Sequence, residues 1–289
     1  MIHFQNRICT VFQSALYQTN ATVVHTDDLV LLVDPGWLPG EIDEIRHCVG
    51  SRRGKPVFLA FTHSDYDHIL GYRAFPGARA IASRALAEHP DPERIIAQIR
   101  DFDEGYYIVR DYPLEYPRID HPVGDDGETL RVGGTTLRFD PAPGHTADGL
   151  FIRVEPGGLF IAGDYLSDLE IPFVDHSSLA YERTLQKAGR FIGEDRIQLL
   201  IPGHGAVTAD PAEMARRLDS SRQYLRRLRE AVLRNDPAPE LERQIAGYSF
   251  PKLLLECHRK NRALIRQELT GHEAGRVSSP AGQADEPAR

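Results

Sequence analysis

Short apolar runs of strand length recur through the first two thirds of the chain: ATVVHT, LVLLVD, PVFLAF, ARAIAS, TTLRFD, GLFIRVE, GLFIAGD and IQLLIPGHG. Each is rich in aliphatic or β-branched residues and bounded by Gly, Pro or Asp, the punctuation of strands. Helical stretches lie between them, over 38–49, near 83–103 and over about 178–193. Strands and helices alternating in this way predict an α/β fold of stacked layers around a sheet core. After residue 210 the pattern becomes helical alone. Asp210, Pro211 and Glu213 read as a helix start, with a side-chain cap, a proline at the first position and an acid three residues on. Met214, Leu218, Leu225, Leu228 and Val232 then form one apolar seam, and a second helix is predicted from about Pro251 to Leu269. The stretch 271–289 is small, polar and unpatterned, and predicts a disordered tail. The expected division is a body over 1–210, a helical extension over 211–270 packing on it, and the tail.

Composition narrows the class. The longest apolar runs fall far short of a membrane span, and MIHFQNRICTVFQ lacks the basic start and continuous apolar core of an export signal, so a cytoplasmic protein is expected. Cys9, Cys48 and Cys257 are widely spaced and form no CxxC pair, which argues against a disulfide framework or a thiolate zinc site. The net charge of −8 speaks against a nucleic-acid binder. That charge is uneven: residues 1–210 hold 19 Lys/Arg against 31 Asp/Glu, and residues 211–270 hold 13 against 8. Either a basic helical segment docks on an acidic body, or a basic wall stands beside an anionic substrate.

The polar clusters fall at strand ends. PVFLAF is followed by His63, Asp65, Asp67 and His68; TTLRFDPAP by GHT with His145; GLFIA by GD with Asp164; IQLLIP by GHG with His204. Imidazole and carboxylate are the usual ligands of zinc and related divalent metals. Seven are more than one tetrahedral ion takes, but they suit two ions bridged by one carboxylate. The glycines beside His145, Asp164 and His204 allow the sharp turns that would project each ligand from its strand end.

THSDYDH, PGHT, AGD and PGHG together resemble the metallo-β-lactamase superfamily over roughly residues 15–210. The resemblance implies a four-layer αββα sandwich, here with a C-terminal helical extension, and two divalent metal ions, zinc foremost and manganese or iron as alternatives. It implies that His63 and His145 belong to a first ion, that Asp67, His68 and His204 belong to a second, and that Asp164 bridges. Asp65 stands where the family motif HxHxDH carries its second histidine. It either ligates the first ion or orients a neighbouring ligand. A similar HxDxDH variant occurs in phosphorylcholine esterases and in a domain of DNA-uptake channel proteins.

The chemistry implied is hydrolysis by a metal-bridging hydroxide, with Asp67 as the catalytic proton-handling residue. The expected substrate is a small-molecule ester, thioester or lactone; the alternatives are a phosphodiester, favoured by the HxDxDH variant, and iron-dependent thiol oxidation on the same fold. A true β-lactamase is disfavoured: His68 follows Asp67 where those enzymes commonly carry arginine, and Asp164 fills a position where many carry cysteine. Candidate substrate contacts are Tyr66, Tyr165, Asp168 and His176, each of which would otherwise be ordinary packing or loop polarity. Leu254, His258, Asn261 and Ile265 share one helix face, so His258 either reaches over the metals or ties the helix to the body through a hydrogen bond. The partner expected is a small molecule, anionic in one reading, with no nucleic acid and no membrane; a homodimer is left open.

Overall fold

A computed structural model describes residues 1–52, 54–194 and 196–277 of the chain. Two sheets form its centre. The first has seven strands in chain order, β1 (Ile2–Gln5), β2 (Cys9–Gln13), β3 (Asn20–His25), β4 (Val30–Val33), β5 (Val57–Ala60), β6 (Arg79–Ser83) and β7 (His121–Val123). Pairs from β1 to β4 are antiparallel and those from β4 to β7 parallel. Each parallel pair needs a long connection. Helix α1 (Pro39–Gly50) supplies the first, and α3 (Arg84–Ala87) and α4 (Pro92–Tyr106) lie in the last, the short α2 (Tyr66–Ile69) falling between. The second sheet has the order β12 (Leu199–Ile201), β11 (Leu159–Ile161), β10 (Leu150–Glu155), β9 (Thr135–Pro141), β8 (Glu128–Val132). Its one parallel pair, β11 with β12, is joined through α5 (Ser178–Glu194).

Burial on both faces explains why the central strands read as unbroken apolar runs instead of alternating ones. Leu31, Val33, Phe58 and Ala60 point into the layer between the sheets, where they meet Leu137, Ile152, Leu159 and Ile201. Val30, Leu32, Leu59 and Phe61 point the other way, onto Ile42, Ile45, Ile96 and Ile99 of α1 and α4. The second sheet repeats the scheme: Phe151, Phe160 and Leu200 face outward onto α5, α6 (Pro211–Leu233), α7 (Pro239–Ala246) and α8 (Pro251–Val277). The result is helix, sheet, sheet, helix, the αββα sandwich expected.

The stretch near 83–103 is not one helix. Pro90 and Pro92 interrupt it, and Asp91 accepts the Arg94 backbone N–H at 3.2 Å to start α4 afresh. The seam of α6 is as predicted, with Met214, Leu218, Leu225, Leu228 and Val232 buried and Asp210 capping Ala212 N at 2.9 Å. Helix α8 continues to Val277, past residue 271; the rest of the expected tail, 278–289, lies outside the described residues. No helix among the described residues is long and apolar enough to cross a membrane.

Candidate metal centre

The ligands named from the motifs all follow strand C-termini on one rim of the sandwich. β5 leads to His63, Asp65, Asp67 and His68, β9 to His145, β11 to Asp164, and β12 to His204. They converge into two groups, His63, Asp65, His145 and Asp164 in one and Asp67, His68 and His204 in the other. Within each group the ligand atoms all lie within 4.8 Å of one another. Asp164 joins the two: its Oδ2 is 3.6 Å from His63 Nε2, 3.3 Å from His145 Nε2 and 3.2 Å from His204 Nε2, while its Oδ1 is 3.3 Å from His68 Nε2. Asp65 Oδ2 is 3.2 Å from His145 Nε2 and 3.6 Å from His63 Nε2, inside the first group and not behind it. Asp67 Oδ2 stands 3.5 Å from both His68 Nε2 and His204 Nε2.

Close backbone approach makes this possible at two glycines. A Cβ on Gly203 would lie 2.2 Å from Asp164 Oδ1, and Gly144, at φ +140°, passes so near Tyr181 that a Cβ would lie 2.3 Å from its Cα.

Each imidazole is oriented from its far side. His68 Nδ1 is 3.0 Å from Asp34 Oδ2, His145 Nδ1 2.9 Å from the Phe173 carbonyl and His204 Nδ1 3.0 Å from the Tyr17 carbonyl. His63 Nδ1 is 3.0 Å from Thr62 Oγ1, which itself donates to Asp34. With an acceptor at every Nδ1, that nitrogen carries the proton and Nε2 offers a lone pair inward, the tautomer a metal ligand requires. The buried His63 Nε2, His68 Nε2 and Asp164 Oδ1 have no hydrogen-bond partner in the protein. Buried polar atoms rarely stay unmatched. A donor set of four imidazoles and three carboxylates with inward lone pairs fits two divalent cations.

Electrostatics agree. Burial opposes charge on the four imidazoles and on Asp65 and Asp164, yet the imidazoles of His204, His68 and His63 hold Asp164 well below the usual carboxylate range. In return Asp164 and its fellow carboxylates raise His63, His68 and His145, and push His204 up to about 10 against its burial. Asp65, too, is held low by His145 and His63 despite desolvation. The carboxylates demand positive charge, supplied by protons or by metal ions in competition, so metal loading strengthens as pH rises.

The candidate substrate contacts part company here. Tyr66 and His176 line an open cleft of about 640 Å³ that also touches Asp65, His89, Arg94 and Lys260. Tyr66 packs edge-on against Trp37 as well, with ring centroids 5.3 Å apart. Tyr165 is buried and does not line the cleft: its hydroxyl donates to the Ala142 carbonyl and accepts from His145 N, both at 3.0 Å. Asp168 accepts from Ala206 N at 2.7 Å and so braces the loop carrying His204. His258 is buried, with Nδ1 3.1 Å from Tyr224 Oη of α6, a tie between two helices of the extension and not a reach over the metals.

Some residues were missed from the pattern. Asp34 closes LVLLVD and braces both His68 and Thr62; a carboxylate ending a fully apolar strand was the available signal. Thr19 Oγ1 lies 3.3 Å from Asp67 Oδ2 and receives Trp37 Nε1–H at 2.8 Å, contacts that bridge distant segments and leave no local trace. Glu170, whose carboxyl burial pushes up to about 7, lies within the electrostatic reach of His204, Asp164, His145 and Asp67.

Comparison with known proteins reaches the same point. The family profile described as Metallo-beta-lactamase superfamily matches residues 15–224. An atrochrysone carboxyl ACP thioesterase from Aspergillus novofumigatus is 28% identical over 146 residues, 46% of this chain and 43% of that protein. A beta-lactamase-like protein 2 homolog from Drosophila melanogaster is 25% identical over 207 residues, 70% of this chain and 64% of that one. The match thus spans less than two thirds of these relatives' own length. Among solved structures, a metallo-beta-lactamase family protein from Thermus thermophilus superposes with a TM-score of 0.60 at 19% identity, covering 91% of this chain and 94% of that one. ETHE1 from Myxococcus xanthus gives 0.53 at 17% identity, covering 89% and 98%. With its fold, its two ligand groups and a family match over most of its length, the chain belongs to the metallo-beta-lactamase superfamily.

Proposed function

We propose that the protein is a dinuclear metal-dependent hydrolase of a thioester or closely related small-molecule carboxylic ester or lactone. One observation carries the two-ion reading: Asp164 places one oxygen or the other within 3.6 Å of Nε2 of all four histidines. Two ions bound there would polarise a scissile carbonyl and make hydroxide available near neutral pH. His63, Asp65 and His145 would hold the first, Asp67, His68 and His204 the second, with Asp164 between.

The chain's own residues do the rest. Asp67, kept in place through Thr19 and Trp37, has a carboxylate on the inner side of its group and is the acceptor for a proton leaving the attacking water. The cleft beside Asp65 seats the substrate, with Tyr66 as an apolar wall, Arg94 and Lys260 as the cationic side and His176 as a further polar contact. The carbonyl-ester class is favoured over phosphodiesters by the thioesterase relative, and two ligand groups favour hydrolysis over one-iron oxidation of a thiol. The test is elemental analysis of protein purified without chelator, paired with a panel of chromogenic esters, thioesters, lactones and phosphodiesters. About two ions per chain and turnover of thioesters or esters are expected; full activity without metal, or turnover confined to phosphodiesters, would reject the proposal.

Asp65 sets a second expectation. With histidine at that position the two ions (+4), two carboxylates and one hydroxide (−3) leave net +1; with Asp65 ligating, the site is formally neutral. A less positive site is a weaker Lewis acid and favours harder ions. Asp65→His should therefore raise activity with zinc relative to manganese and shift the alkaline-side rise in rate to lower pH. An unchanged metal ranking and pH profile would remove Asp65 from the ligand set.

A further inference from the structure

Asn261 lies on α8, fully buried, in the part of the chain that follows every metal ligand. Its side-chain amide does what a neighbouring strand would do. Oδ1 accepts the Val174 backbone N–H at 3.0 Å, and Nδ2 donates to the Pro172 carbonyl at 2.6 Å. These two groups flank the residue whose carbonyl takes the His145 Nδ1 proton, Phe173, at 2.9 Å. The other side of the segment is laced to the ligand loop itself, with Asp175 N donating to the His145 carbonyl at 2.9 Å and Ser177 N to the Gly144 carbonyl at 3.2 Å. Behind the amide, Asn261 Nδ2 also donates to Tyr224 Oη at 3.0 Å, and Tyr224 meets His258 Nδ1 at 3.1 Å. Further along α8, Glu268 accepts from Ser177 Oγ and Ser178 N at 2.8 and 2.9 Å. The C-terminal helices therefore grip 172–178 at both ends, and that segment grips His145.

We infer that Asn261 is a positioning residue for the first ion: by fixing the peptides on either side of Phe173, it fixes the carbonyl that sets the tautomer and ring plane of His145. The polar pair on the α8 stripe is thus neither a substrate contact nor a mere tether. A side chain with no contact to metal or substrate tunes one ligand group and leaves the other alone, because the imidazoles of His68 and His204 are held by Asp34 and Tyr17. Hydrogen-bond partners standing behind a metal-bound histidine typically contribute about 10–100-fold in metal affinity.

This rests on the two-ion reading above, and the test separates the two. Wild-type protein, Asn261→Ala, Asn261→Asp and Tyr224→Phe are equilibrated with zinc across a chelator series, and zinc per chain is measured together with thermal melting. In Asn261→Ala one of the two ions should weaken at least tenfold while the other holds. Asn261→Asp keeps the acceptor for Val174 N but sets an oxygen against the Pro172 carbonyl, so it should fall the same way; Tyr224→Phe, which removes only the support behind the amide, should fall less and keep the fold if Asn261→Ala does not. Adding His145→Ala to Asn261→Ala should weaken that same ion by less than it does in the wild type, the coupling expected of residues acting through one contact. A wild-type chain that takes up fewer than two ions overturns the two-ion reading. Two ions in wild type, with affinities unchanged in the variants or weakened equally for both ions, overturn the positioning role.

Discussion

Asp164→Ala is expected to lower kcat/KM by about a thousandfold or more and to leave at most one tightly held metal ion per chain. Among the described residues no other single side chain serves both ligand groups, with Oδ2 near His63, His145 and His204 and Oδ1 near His68. Charge stabilisation by a bound metal is worth several kcal/mol, and each about 1.4 kcal/mol is a factor of ten in rate. Fold should survive, because the carboxylate fills little core volume at the end of β11. The metal-free forms add a pH signature. In wild type the Asp164 carboxylate is the strongest of the charges that raise His204 to about 10, against burial. A histidine raised in the folded state stabilises fully below its ordinary value near 6.5 and loses that contribution as pH rises through about 10. Metal-free Asp164→Ala should therefore melt below metal-free wild type near pH 6, and the gap should narrow above pH 10. Equal turnover in the variant, or a gap that widens with pH, would show that Asp164 does not bind the cluster together.

Ending the chain at Thr208 is expected to abolish soluble, active protein. Met214, Leu218, Leu225, Leu228, Leu241, Ile245, Leu254 and Ile265 are all buried in one core with the outer face of the second sheet and α5. Burying one such side chain contributes about 1.5–3 kcal/mol, so even half of them, about 6–12 kcal/mol, match the roughly 5–15 kcal/mol by which domains are usually stable. The cut would also bare the partners of those side chains, Phe160, Leu185, Phe191 and Leu200 among them, an apolar patch large enough to drive association. Expression of 1–208 should give aggregates by size-exclusion chromatography. A monomeric, fully active product would make the helices an accessory module.

How much of this was legible in the sequence follows from the range of the forces involved. The strands that build the rim were visible because burial on both faces leaves unbroken apolar runs, and the ligands because they follow those runs directly. β8 was not, since ETLRV alternates on a half-exposed edge strand and looks like a polar loop. α7 was missed because eight residues carry too little periodicity. Among site residues, His63, Asp67, His145, Asp164 and His204 announced themselves by motif. Asp34 and Thr19 did not, and Asn261 showed only as a polar position on an apolar helix face, because their work is done across contacts of 18 to 87 residues in sequence, through one hydrogen bond at a time. Tyr165, Asp168 and His258 were drawn toward the substrate by proximity in sequence or by helix face, but the nearest unmatched partner for each was backbone or a neighbouring side chain.

The clamp from α8 also imposes an order in time. Everything that orients His68 and His204, namely Asp34 and the Tyr17 carbonyl, has already been synthesised when His204 emerges. His145 is made earlier than His204, yet its support is complete only when Asn261 has left the ribosome and α8 has docked. At about 5–20 residues per second, translation separates the two events by several seconds. The hydrogen-bond partners of His68 and His204 are therefore synthesised first, and the support of His145 is completed last, by the very helix that a truncated message would omit.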